Sequence, residues 1–418
     1  MLKRIPVTDA RVGMFVHELC GSWMDHSFWK VKFLLDSAKD LQRLQNSAIR
    51  ELWIDTEIGL DVPGGDSHAL IEARTSARLL AAEHELPGKA RAQLADEMGL
   101  ALKLSARTKE RLIGLFGDMR SGVPIDSIQL AGQVAEINQS LQRHPHALIS
   151  LARLRSADEY QYMHALAVSA LMIALARQLG MDEAQVSEAG VAGLLHDIGE
   201  ALMPAELLNC PGKLSRIDST LLRDHPALGA EILAKQGLSP ALVDVCLHHH
   251  EKPDGSGYPE RLAGEQISQL AKMCAICDVY DALTSDRPYQ KGLDPAEAMR
   301  KMAEWCPAQF DEQVFRAFVK ALGIYPTGAL VRLESGKLGV VLEQNEHSLL
   351  TPKVKVFFSA KSKSPIEQEI IDLSKLVGRE RIVGREPLED WGFRNLEELW
   401  SGERKGRATL FGGVTAPL

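Results

Sequence analysis

Long uninterrupted apolar runs are missing from this chain, and the segment after Met1, Leu-Lys-Arg-Ile-Pro, gives way at once to polar residues. A spanning helix needs about 20 consecutive apolar residues and a secretory leader an apolar stretch of roughly 7–15, so neither is expected and the chain reads as cytoplasmic, without a membrane role. Positive charge is also in deficit. Lys and Arg total 48 against 56 Asp and Glu, a formal net charge of -8, whereas binding nucleic acid through many phosphates requires a positive face. Nucleic acid is therefore not an expected partner, and any anionic ligand must be held by local cations. Cysteine is sparse too: Cys20, Cys210, Cys246, Cys274, Cys277 and Cys306 show no repeating pairs, which excludes a disulfide framework and fits reduced thiols. Cys274 and Cys277 form a CxxC inside LAKMCAICDVYDAL, where three-residue spacing is what helical core packing produces.

What is abundant points to helix. Aromatics are only 6% of residues while Leu and Ala are frequent, and the 45% hydrophobic and 25% charged fractions are those of a globular protein. With 418 residues the chain is long enough for two or three domains. Residues 1–65 read as a small α+β module, with GMFVHE, WKVKFLL and ELWID as short strands and SAKDLQRLQNSAI as a helix. EIGLDVPGGDSH then serves as a linker. Residues 68–154 are a helical connector broken at Pro87-Gly88 and around Gly122-Val123-Pro124, whose helices could pair between two copies in a homodimer or pack within one chain. Residues 155–323 form the densest helical region. Residues 324–418 turn β-rich, with GALVRLES, LGVVLEQ and KVKVFFS as strands and EDWGFRNLEELW as a short docking helix before a Gly-rich tail. The expected fold is mainly α, a helical bundle with a small α+β module before it and a small β appendage after it.

Histidines and aspartates cluster on segments that otherwise read as buried helices between His164 and Asp278. Taken singly, His164 in YQYMHALAVSALMIAL reads as a hydrogen-bonded core histidine, and His225 in RDHPALGAEIL as the start of a helix beside Pro226. His196-Asp197 is harder to dismiss, because two ionisable groups follow the apolar run AGVAGLL, where an unpaired carboxylate would be costly. Consecutive helical residues diverge by about 100°, so an adjacent His and Asp can flank one metal while the carboxylate reaches a second. His248-His249-His250-Glu251 ends a helix before KPDGSGYPERLAG, where Gly255 and Gly257 can take up positive φ; a solvated helix end is the bland alternative. Asp278 adds a carboxylate among apolar residues. Imidazole and carboxylate donors together suit iron, manganese, zinc, nickel or cobalt rather than calcium.

HDIGE, HHHEKPDGSGYP and DVYDALTSDRPY, in that order over about 165 residues, resemble the successive signatures of HD-GYP domains within the HD phosphohydrolase superfamily, and PGKLS and HPALGAEIL resemble the family as well. The first sixty residues resemble a module that often precedes such domains in bacteria. The resemblance implies an HD-type helical bundle holding two divalent transition metals, iron or manganese foremost, on His164, His196, Asp197, His225, His249, His250 and Asp278, with Asp197 bridging them. It implies hydrolysis of cyclic di-GMP to linear pGpG, and onward to GMP as an open step. In such a site a metal-activated bridging hydroxide attacks phosphorus, because two ions roughly 3.5 to 4 Å apart bring the pKa of a bound water to about 7. Arg287, Lys291, Tyr258, Gly257 and Asp254 are implied as substrate contacts, the first and third also as catalytic groups beside Asp197, and the GYP loop as a contact for diguanylate cyclase (GGDEF) proteins. Two departures bear on activity. Glu200 stands where the family usually has lysine, which leaves a catalytically weak receptor, or an HD hydrolase of another nucleotide, as the alternatives. Tyr160 stands where some members place a third-metal glutamate, so two ions are expected rather than three. Gln290 also replaces a frequently basic residue.

Overall fold

The computed structural model describes residues 1–20, 32–47, 49–80, 94–152, 160–203, 221–286, 291–345, 347–387, 390–393 and 396–401. The chain divides into two compact units, one comprising Met1–Arg78, His196–Ala275 and Met302–Glu312, the other Leu79–Leu195, Ile276–Lys301 and Gln313–Leu418.

The first unit opens with an antiparallel sheet of β1 (Leu2–Pro6), β2 (Phe15–Cys20), β3 (Phe33–Leu34), β4 (Glu51–Asp55) and β5 (Asp66–Ser67), in the order β3-β2-β4-β1-β5. Alternate residues of β1 and β4, among them Ile5, Leu52 and Ile54, turn inward onto Met14, Val16, Leu35 and Leu44. Helix α1 (Ala38–Gln45) is N-capped by Ser37, whose Oγ accepts from Asp40 N at 3.0 Å. The expected strands GMFVHE and ELWID and the intervening helix are present; of WKVKFLL, Phe33 and Leu34 form β3, and Trp29, Lys30 and Val31 lie outside the described residues. β1 and β5 were not anticipated. β1 carries Lys3, Arg4 and Pro6 and so hides its inward face, and β5 lies in the segment read as a linker. Further along this unit, α8 (His225–Lys235) starts with Pro226 in its first turn, and α9 (Pro240–His248) is capped by Ser239 with proline at N1.

The second unit begins with α3 (Leu94–Arg120), α4 (Ser127–Arg143) and α5 (Pro145–Ala152), α2 (His68–Leu80) lying mostly in the first. Gly122, at φ +74°, ends α3, and Asp126 caps α4 by accepting from Ile128 N and Gln129 N. The break expected at Gly122-Val123-Pro124 is thus present; that at Pro87-Gly88 lies outside the described residues. Helix α6 (Tyr160–Gln178) is buried almost all round from Met163 to Ala176, which is why its apolar pattern has little periodicity. It packs on α7 (Glu183–Leu195), where a Cβ on Gly193 would come within 2.6 Å of Ser169 Cα. α10 (Gln269–Thr284), α11 (Pro295–Trp305) and α12 (Glu312–Leu322) follow in the chain.

The C-terminal part is a second antiparallel sheet of β6 (Leu330–Leu333), β7 (Lys337–Glu343), β8 (Lys353–Ser359), β9 (Ser364–Asp372) and β10 (Ile382–Arg385), ordered β10-β6-β7-β8-β9, with α13 (Glu398–Ser401) after it. The three expected strands are β6 to β8. β9 escaped because it is an exposed edge strand of mostly polar residues, with no buried face to impose a period of two. Cys274 and Cys277 are fully buried on α10. Burial, then Asp278 and Asp281, holds the Cys277 thiol well above its ordinary pKa, as core packing rather than redox chemistry requires. Among the described residues, no helix is long and apolar enough to cross a membrane.

Candidate metal centre

The HDIGE segment leaves α7 and enters a 3-10 turn over Ile198–Leu202, with His196 fully buried and Asp197 partly so. Gly199 permits this turn to lie against α8: a Cβ there would collide with the His225 carbonyl and lie 2.7 Å from Gly229 N. Gly229 in turn leaves room for the Cys246 sulfur of α9. These two glycines bring the ends of three segments together. His225, His249 and His250 then converge with Asp197 so that one ligand atom from each lies within 4.8 Å of the others.

Asp197 divides its two oxygens. Oδ1 lies 3.2 Å from His225 Nε2 and 3.3 Å from His249 Nε2, and Oδ2 lies 3.1 Å from His196 Nε2. The imidazoles are turned inward by their outer nitrogens: His225 Nδ1 is 2.7 Å from the Leu222 carbonyl and His249 Nδ1 is 2.9 Å from that of Cys246. A carbonyl only accepts, so each Nδ1 carries the proton and each Nε2 presents its lone pair to the centre. His225 Nε2 lies 3.3 Å from His249 Nε2 and 3.2 Å from His250 Nε2. Lone pairs packed this closely need a cation among them, whether proton or metal, and the set of three imidazoles and one carboxylate fits a transition metal.

The charge environment agrees. Burial lowers the His225 pKa, but the hydrogen bond and charge of Asp197, joined by Glu200, more than offset it and hold the group at about 9. Burial, opposed by Asp197, lowers His249, and burial reinforced by His249 and His225 drives His250 well below its usual value. One proton therefore suits the metal-free cluster, on His225, and the other two imidazoles stay neutral and ready to ligate.

In the second unit, His164 on α6 is flanked by two carboxylates of α10. Its Nε2 lies 3.1 Å from Asp278 Oδ1, and its Nδ1 lies 2.6 Å from Asp281 Oδ2. Tyr160 stacks on the ring, with centroids 5.4 Å apart and planes 13° apart. Tyr160 thus covers a face of a candidate ligand. Asp281 was not singled out from the sequence, although two carboxylates three residues apart share one face of an apolar helix.

The loop from Lys252 to Gly264 closes on itself through Gly255 N to the Lys252 carbonyl and Gly264 N to the Pro253 carbonyl. Glu251, 2% exposed, accepts from Glu260 N at 2.7 Å. Gly255 has φ +73°, as expected, but Gly257 does not adopt positive φ; it is needed because a Cβ would collide with Glu251 Cα and lie 2.7 Å from the His250 carbonyl. Tyr258 stacks on His250 with centroids 4.8 Å apart, and the Arg223 guanidinium lies 5.0 Å from the Tyr258 ring centroid. Arg223 is a neighbour that no motif singled out. Asp254 is exposed and accepts from Ser256 N and Oγ. The first histidine of the triplet stands apart from the quartet: His248 Nδ1 is 2.8 Å from Asp244, and its Nε2 is 3.4 Å from Glu260. Lys291 is exposed and pairs with Asp286 at 2.6 Å. Arg287, Gln290 and PGKLS lie outside the described residues.

Residues 137–314 match the family described as HD domain, and residues 2–129 match a domain of unknown function, DUF3391. A cyclic di-GMP phosphodiesterase of Pseudomonas aeruginosa is 56% identical over 417 residues, covering 99% of both chains. The cyclic di-GMP phosphodiesterase response regulator RpfG of Xanthomonas campestris is 35% identical over 165 residues, 38% of this chain and 43% of its own. A 3'3'-cGAMP-specific phosphodiesterase of Vibrio cholerae is 34% identical over 152 residues, 36% of this chain and 33% of its own. Following one such phosphodiesterase from end to end, and carrying the HD model across all its histidine segments, this chain belongs to the HD-GYP family of HD phosphohydrolases.

Proposed function

We infer that this protein is a metal-dependent phosphodiesterase that hydrolyses cyclic di-GMP. The observation that carries the reading is the division of Asp197, with one carboxylate oxygen toward His225 and His249 and the other toward His196. A carboxylate so placed suits a shared ligand between two ions. The proposed ligands are the seven that the family resemblance implies, His164, His196, Asp197, His225, His249, His250 and Asp278, with Asp197 shared between the two ions. Bound there, two divalent ions supply Lewis acidity and a nucleophile available near neutral pH. Iron and manganese suit this mixture of imidazole and carboxylate donors.

The chain's own residues do the rest. The Leu222 and Cys246 carbonyls hold the Nδ1 protons of His225 and His249 before any metal arrives, so that each ring keeps its Nε2 toward the centre, which limits reorganisation on binding. Tyr258, held against His250, offers a flat face suited to a guanine base, with Arg223 beside it. In this reading Asp254 and Gly257 act by shaping the loop that carries Tyr258, and Arg287 and Lys291 meet the phosphates. Ring opening to pGpG, then cleavage to GMP, a cytoplasmic location, and contact with diguanylate cyclases through the Tyr258 loop belong to the same proposal. The full-length similarity to a cyclic di-GMP phosphodiesterase supports turnover over a receptor role despite Glu200.

The test is anaerobic turnover of cyclic di-GMP by protein loaded with Mn²⁺ or Fe²⁺, metal being counted on the same sample and 3'3'-cGAMP run in parallel. Linear dinucleotide from about two ions per chain, with both metal and turnover lost in D197A, is the expected result. Bound metal and bound nucleotide without product overturns the enzymatic reading.

A further inference from the structure

The buried face of α10 carries two carboxylates, and the ligand assignment uses only Asp278. Asp281 is 1% exposed. A carboxylate this deeply buried is costly unless strong donors or cations face it, and a donor meets each oxygen of Asp281. Its Oδ2 meets His164 Nδ1 at 2.6 Å, and its Oδ1 accepts from Ser285 Oγ at 3.3 Å. Ser285, 2% exposed, lies one helical turn on. Tyr160 covers a face of the same imidazole. The ring is thus held at its edge and on a face, which leaves its Nε2 directed at Asp278, 3.1 Å away.

We propose that Asp281 is a positioning residue for the ion held by His164 and Asp278, an inference that rests on the two-ion reading above. An imidazole ligates only through an unprotonated nitrogen, and the hydrogen bond at its other nitrogen decides which one that is. By accepting from Nδ1–H, Asp281 keeps the tautomer whose Nε2 lone pair faces the metal site, and its negative charge makes that nitrogen a stronger donor. Ser285 keeps the carboxylate from turning away. The same task falls to backbone carbonyls at His225 and His249, so the ion on the His164 side is the one whose affinity depends on a side chain three residues beyond its own ligand.

The experiment compares wild type, D281N and D281E at one pH. In metal-free protein of a D278N background, where Nε2 no longer faces a carboxylate, nitrogen NMR of labelled histidine shows His164 as the Nδ1–H tautomer with Asp281 in place and as a mixture with D281N. In chelator competition with Mn²⁺, D281N weakens one of two ions by about 10- to 100-fold and leaves the other unchanged. D281E, which restores the charge, recovers part of the loss. A D281N protein with the wild-type tautomer and both affinities intact overturns the inference. A wild-type protein that binds fewer than two ions overturns the two-ion reading instead, and the tautomer comparison still decides the part played by Asp281. Should D281N fail to fold, S285A takes its place: a mixed tautomer with severalfold weaker binding of the same ion supports the inference, and no change in either overturns it.

Discussion

A cluster of three histidines and one aspartate can serve a metal only if its protons are managed, and the residues around Asp197 set those protons individually. In metal-free protein His225 is held at about 9, above its ordinary 6.5, while His249 and His250 are lowered. A raised histidine contributes stability that is full below its unfolded pKa and lost as pH rises through the folded value. A lowered one contributes stability that is full above the unfolded value and lost as pH falls below it. The melting temperature of chelated protein is therefore expected to gain from these groups most near pH 6.5 and to lose their support on either side. E200K removes one of the charges that raise His225. Melting curves of chelated samples across pH 5–10 should show it less stable than wild type below pH 6.5, with the gap closing as pH passes 9. A gap that widens with pH would contradict the assignment of Glu200 to His225.

At the scale of elements, close backbone approach places the candidate ligands where hydrophobic packing alone would not. Gly199 lets the HDIGE turn meet α8, and Gly257 lets the Tyr258 loop lie on the end of the histidine triplet. Overpacking of this kind costs roughly 1–3 kcal/mol, and both collisions are with backbone, which yields least. G199A is expected to lower thermal stability and metal affinity together, because it separates Asp197 from His225. G257A is expected to raise KM while leaving the metal count near that of wild type, because the loop it distorts carries Tyr258 rather than a ligand. Calorimetry and metal analysis on the same preparations separate the two; loss of metal in G257A would show that the loop also supports the quartet. The motif letters made these glycines visible. Their reasons differ, since Gly255 is needed for positive φ and Gly257 for space, and one-dimensional spacing does not distinguish a turn from a contact.

For the whole molecule, ligand binding should act on folding. Ions that bind the native state alone stabilise it by about 2.7 kcal/mol per site at a hundredfold excess over Kd. Chelation is expected to lower the melting temperature, and Mn²⁺ to restore it, in wild type but not in D197A. Equal melting temperatures for chelated and metal-loaded wild type would show that the sites are empty under those conditions or that the unfolded chain binds as well.

The candidate ligands could be picked out along the chain because metal chemistry restricts residue types: imidazoles and carboxylates set among apolar helices drew attention to His196-Asp197, His249-His250 and Asp278, and the resemblance to HD-GYP signatures added His164 and His225. Strands with one buried face were legible because burial imposes a period of two, and helices such as α6 because burial all round leaves a long run of apolar residues. β5 and β9 were not, because a short pairing and a polar edge strand leave no such period. Only the tertiary structure decided which nitrogen of each imidazole faces inward, that Asp197 divides its oxygens, that Asp281 holds His164, and that Arg223 lies by Tyr258. Those are relations between atoms on segments far apart in sequence, set by packing and hydrogen-bond direction, and residue order carries no record of them until the chain is folded.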